Sequence, residues 1–196
     1  MSDLALTYTV ENSGAPPAET IDEYALIQRA RAGEMDAFEE IMLRYETRIL
    51  RFLTGTVGDV EVAQELSQET FLAAYRAFPR TDCSLRLSSW LHTIALNRAR
   101  SYHRRRRLRT FLPLIDDHIS SAPDLQHSVA SRDSVQRALA RVPHKYREPL
   151  LLQLAGGMSC KEIAEVLGSS EGAVKVRLMR ARDAFRRAYE QEEREQ

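Results

Sequence analysis

Residues 159–187, "SCKEIAEVLGSSEGAVKVRLMRARDAFRR", leave little freedom in how this chain can fold. Ser159, with Glu162 three residues on, is a capping box in which each side chain satisfies a backbone N–H of the other residue. The helix they open meets Gly168, a residue that tolerates the left-handed conformation ending many helices. Ser169 or Ser170 then caps a longer helix, with Val174, Leu178, Ala181 and Phe185 spaced 4, 3 and 4 apart as a buried stripe. A short helix, a tight turn and a long helix make a helix-turn-helix layout.

The same punctuation can be followed from the N-terminus. The spacing predicts a helix over 21–32, stopped at Gly33. Asp36 and Glu39 form a second capping box, opening a helix with Phe38, Ile41, Met42, Tyr45, Ile49 and Phe52 on one stripe, which Gly55 and Gly58 break. Asp59 is the expected N-cap of a third helix that Pro79 ends. Ser88 or Ser89 begins a fourth, running through Trp90, Ile94 and Tyr102 into the arginines of "RARSYHRRRRLR". Periodicity then disappears over 110–127 and resumes with Val135, Leu139 and Val142, ahead of Pro143 at a first helical position. Pro149 is expected to kink the next helix or move its start. With 43% apolar residues and helix formers dominant, the expectation is an all-α fold of two helical domains. A flexible linker would join them. The tail 1–20 reads as disordered, 21–108 as the first domain, 109–128 as the linker, 129–190 as the second domain and 191–196 as an acidic tail.

Net charge is zero, with 28 basic and 28 acidic side chains, but the charge is unevenly placed. Residues 1–97 sum to −7, and residues 98–109 carry +7 with no acid among them. Residues 170–187 carry +4, and 188–196 carry −3. Two basic patches on separate helices suit nucleic acid, because counterion release depends on the patch and not on the total.

The last helix, whose outer face offers Ala173, Val176, Arg180 and Arg187 between Lys175, Arg182 and Arg186, suits a DNA major groove. The fourth helix mixes arginines with Trp90, Asn97, Tyr102 and His103, groups that stack on or hydrogen-bond to unpaired bases. The third helix is acidic (Asp59, Glu61, Glu65, Gln68 and Glu69), with Leu66 and Phe71 for packing, and suits a basic protein partner.

Four segments in order, "RYETRILRFL", "AQELSQETFLAAYRAF", "WLHTIALNRARSYHRRRR" and "VPHKYREPLLLQLAGGMSCKEIAEVLGSSEGAVKVRLMRAR", resemble bacterial RNA polymerase sigma factors of the extracytoplasmic-function (ECF) group of the sigma-70 family. The resemblance spans about residues 21–190. It implies that 21–108 is a sigma-2-like bundle that binds core polymerase at the β′ clamp helices and opens the −10 promoter element. Asp59, Glu65, Leu66, Gln68, Glu69 and Phe71 would bind polymerase. Trp90, Asn97, Arg100, Ser101, His103 and Arg104 would act on the −10 element, and the loop 79–88 would capture a flipped base. Residues 129–190 would be sigma-4-like, meeting the β flap and reading the −35 element through Lys175, Val176, Arg177, Met179, Arg180 and Arg182. An anti-sigma factor would be a further partner.

The chain departs from the family pattern at several positions. Leu87 and Ser88 replace an aromatic residue and an arginine, and His92 replaces a common Tyr or Phe. Cys83 stands in a usually Gly-rich loop, and Val176 replaces a small serine.

Other classes lack residues to carry them. No run approaches the ~18 apolar residues of a membrane span, and the N-terminus has no basic n-region for a signal peptide. A cytoplasmic protein is expected. Cys83 and Cys160 are isolated, and the five histidines follow no ligand spacing, so no metal or other cofactor is expected. No catalytic triad, carboxylate pair or phosphate loop has a credible context, so no enzyme is expected. The rival reading is a helix-turn-helix activator or repressor that works without polymerase.

Overall fold

The computed structural model describes residues 17–82, 86–111 and 130–194. Helices α1 (Pro17–Arg31), α2 (Met35–Val57), α3 (Val60–Ala77) and α4 (Leu87–Phe111) form a first unit, with a 3-10 turn (Phe78–Arg80) after α3. Helices α5 (Ala130–Arg141), α6 (His144–Leu154), α7 (Cys160–Leu167) and α8 (Glu171–Arg194) form a second. Among the described residues there is no strand. The predicted N-terminal tail lies almost wholly outside the described residues, as do Cys83 and most of the predicted linker, into which α4 extends as far as Phe111.

The first unit closes because α2 brings Ile41, Ile49, Phe52 and Leu53 to one side, all fully buried. Ala63, Leu66, Phe71 and Ala74 of α3 and Leu91, Ala95 and Leu96 of α4 pack with them in one core. Phe78 follows at the start of the turn. Its ring meets Phe38 edge-on at 5.7 Å and Trp90 at 5.4 Å, which ties α2, the turn and α4 together.

The second unit is held by two buried charges as well as by apolar packing. Glu192 of α8, only 3% exposed, accepts from Arg137 at 2.6 Å and lies 2.7 Å from Arg141, both on α5. Arg147 of α6 reaches back to the end of α5. Its Nε donates to the Val142 carbonyl at 3.1 Å, and its Nη2 donates to the carbonyls of Val142 and Ala140. Those carbonyls are among the acceptors that a helix end leaves without intrahelical partners.

Several predicted boundaries shift. Helix α2 begins at Met35 behind an extended Glu34 with no side-chain cap, so Asp36 lies inside the first turn and acts through the helix dipole. Gly58 does end α2, at φ 78°, but Gly55 lies within it. A Cβ on Gly55 would stand 2.5 Å from Leu151 Cδ2, so the glycine serves close approach to α6. Helix α4 starts at Leu87, ahead of both predicted caps. Pro143 is the N-cap of α6 rather than its first residue, and Pro149 is accommodated inside that helix.

The two units pack on one another, α4 against α7 and α2 against α6. Besides the Gly55–Leu151 contact, Arg100 of α4 grips Glu148 of α6 with two hydrogen bonds, 3.0 and 2.6 Å.

Candidate nucleic-acid interface

The helix-turn-helix is built by local bonds. Ser159 N–H donates to Glu162 Oε2 at 2.9 Å, and Glu162 N–H donates back to Ser159 Oγ at 3.3 Å. Gly168 takes φ 59°, and its N–H returns to the end of α7. Of the two candidate caps of α8 it is Ser170 that works, its Oγ accepting from Ala173 N–H at 3.2 Å. Val174, Leu178 and Ala181 are buried as the spacing predicts, while Phe185 is half-buried.

That burial turns Lys175, Val176, Met179, Arg180 and Arg182 outward, with Arg177 half-buried beside them. Met179 is 58% and Val176 45% exposed, an apolar strip between cations that suits thymine methyl contact. Lys175 pairs with Glu171 at 2.7 Å, which raises its pKa. Arg182 donates to Gln153 at 3.0 Å, so α6 orients it. Arg180 and Lys145 both bond to the Tyr146 phenol and hold its pKa down, which sets Arg180 at the edge of the same face.

On α4, Asn97 and Arg104 stand in the open, and Ser101 is half-buried. Trp90 is half-buried against Phe78. Arg100 is exposed but occupied by Glu148, whose hydrogen bonds raise its pKa. His103 leans inward, with Nε2 3.3 Å from the Thr56 carbonyl and its ring 4.8 Å from that of His144. Partial desolvation lowers the pKa of both, although His103 is half-buried and His144 exposed. The six residues assigned to this helix are therefore brought to one element, but only part of the set faces solvent.

On α3, Asp59 caps the helix, accepting from Glu61 N–H at 2.9 Å and Val62 N–H at 3.1 Å. Glu65, Gln68 and Glu69 are exposed, whereas Leu66 and Phe71 lie in the core, 3% and 5% exposed. Beyond Val60 in the first turn, the outward apolar residues are Leu72 and Tyr75, 49% and 44% exposed, which the sequence reading missed. Their spacing from Glu65 and Gln68 (3, 4 and 3) puts them on the same face and would have found them. The reading also missed the Arg100–Glu148 pair, for which no local pattern exists.

Residues 41–109 match the family profile described as Sigma-70 region 2, and residues 132–185 match that of Sigma-70 region 4. The ECF RNA polymerase sigma factor SigF of Caulobacter vibrioides is 32% identical over 165 residues, which cover 82% of this chain and 90% of that protein. The ECF RNA polymerase sigma factor SigW of Bacillus subtilis is 27% identical over 175 residues, 82% of this chain and 93% of that protein. Among solved structures, CnrH in complex with the cytosolic domain of CnrY is similar, with a TM-score of 0.66 and 26% identity over 83% of this chain and 93% of that one. The order of the two profiles, the helices that carry them and these relatives agree: the chain belongs to the sigma-70 family, as an RNA polymerase sigma factor of the ECF group.

Proposed function

We propose that the chain binds bacterial core RNA polymerase and directs it to promoters, gripping the −35 element with α8 and opening the −10 element with α4. The observation that carries this reading is the presence of two differently built nucleic-acid faces on separate helical units of a sigma-70 member. One is small, apolar and cationic, as duplex readout requires. The other combines an aromatic residue, an amide and arginines, as unpaired bases require. Unstacking costs a few kcal/mol per step, which the Trp90–Arg104 surface and the polymerase together offset.

In this scheme Lys175, Val176, Arg177, Met179, Arg180 and Arg182 form the −35 face. Trp90, Asn97, Arg100, Ser101, His103 and Arg104 form the −10 face. Asp59, Glu65, Gln68 and Glu69 meet the β′ clamp helices, with Leu66 and Phe71 shaping that surface from inside. Residues 21–108 and 129–190 are the two working domains, with 109–128 as tether, and 129–190 also meets the β flap. The polymerase supplies the chemistry, and the protein acts beside it in the cytoplasm. Among the described residues no helix is long and apolar enough to cross a membrane. Likeness to CnrH, solved with the cytosolic domain of a second protein, supports control by an anti-sigma factor.

Run-off transcription from a genomic promoter library, with and without core polymerase, tests the reading. Initiation that needs both components, from start sites sharing two upstream elements, is the expected result. If the protein shifts specific duplexes alone and gives core no promoter activity, the polymerase-independent regulator takes its place.

A further inference from the structure

Three histidines line the contact between the two helical units. His92 of α4 is fully buried, its ring edge-on to Phe52 of α2 at 5.4 Å. Its Nδ1 lies 2.8 Å from the Ser88 carbonyl, which can only accept, so Nδ1 carries the ring hydrogen. That leaves Nε2 as a bare lone pair, buried and without a partner. It faces the turn after α6, where a Cβ on Gly156 would stand 3.1 Å away. A proton added there would be a buried charge with no acceptor, and the charged group acting on the ring, Arg48 of α2, repels it.

His103 of α4 and His144 of α6 face each other across the same boundary. Around His103 stand Arg106 on α4 and Arg147 on α6, and its Nε2 meets the Thr56 carbonyl of α2. Around His144 stand Arg107 on α4 and Arg147 and Glu148 on α6. Glu148 is the acid in this group, and its carboxylate is held by Arg100.

We propose that the contact between the units is a proton-sensitive latch, closed while His92, His103 and His144 are neutral and opened by their protonation. Opening frees Arg100 and the α4 surface for nucleic acid, a consequence that rests on the promoter-binding reading above. Desolvation, complete around His92, partial around the half-buried His103 and least around the exposed His144, lowers the pKa of each in the closed form. Above the ordinary imidazole value of about 6.5 both forms are neutral at these sites, and the histidines impose no penalty on closure. As pH falls below that value the open form takes up protons that the closed form resists. The open-to-closed ratio then rises by up to about tenfold per pH unit for each histidine that gains a proton. The gain levels off below the lowered closed-form values.

Small-angle scattering from the full-length protein between pH 8 and 5.5, without polymerase or DNA, reads domain separation directly. The radius of gyration is expected to rise with acidification while far-UV helicity stays constant. The H103Q/H144Q variant should show a smaller rise, and H92Q a rise that is likewise reduced. E148Q should open further at every pH while retaining the pH dependence. A radius constant across the window, or a rise of equal size in wild type and H103Q/H144Q, overturns the latch. Should H92Q lose helicity, imidazole resonances of the wild-type protein decide: midpoints at or above 6.5 in the closed form overturn its part. Loss of core-dependent transcription would sink the promoter reading and leave this scattering result standing.

Discussion

Gly156 shows at the scale of one residue how closely the units approach. A Cβ there would come 2.5 Å from the Leu152 carbonyl oxygen and 3.1 Å from His92 Nε2. The nearer obstacle is backbone and cannot swing aside. G156A is therefore expected to lower stability by about 1–3 kcal/mol, the usual cost of overpacking. Chemical denaturation checks it, and a loss under ~0.5 kcal/mol would show that the turn has room. Nothing local marked this position, since a glycine in "LAGGMS" reads as a simple helix stop. Gly55 was misread for the same reason: its cause, Leu151, lies 96 residues away. Residues whose roles are set by their own neighbours were readable. Asp59, Ser159 and Glu162 all act as their spacing predicts.

At the scale of elements, capped helices were legible and uncapped ones were shifted. Helix α7 has both halves of a capping box and a left-handed glycine end, and it lies where expected. Helix α2 has no side-chain cap, so the Asp36–Glu39 pattern drew its start two residues too late. S159A should cost about 1 kcal/mol by removing the cap, measured as the shift in denaturation midpoint, and wild-type stability would deny the cap its role. The outward face of α8 gives a separate prediction. Arg180 is exposed beside Met179, so R180A should weaken binding to a −35 duplex by roughly tenfold and reduce the salt slope by about one. Fluorescence anisotropy across salt concentrations reads both, and an unchanged slope would remove Arg180 from the phosphate or base contacts. The exposed pair Leu72 and Tyr75 was missed because the acidic residues of α3 drew the reading, although the apolar residues share their face.

Across the whole molecule, the two-unit organisation was legible from the loss of periodicity after residue 110. The packing of one unit on the other was not, because it depends on contacts such as Arg100–Glu148, 48 residues apart. E148Q is expected to raise the affinity of the free protein for single-stranded −10 sequence several-fold while leaving its affinity for −35 duplex unchanged. Equal affinity of both proteins for the single strand would show that Arg100 is not withheld. The Glu148 carboxylate presents two oxygens to a guanidinium much as a phosphate does. Only 18 residues separate α4 from α5 along the chain, so the pairing is intramolecular and undiminished by dilution. If α4 opens promoter strands as proposed, the protein carries a built-in competitor for that helix, and stray single strands must outbid it before they can bind.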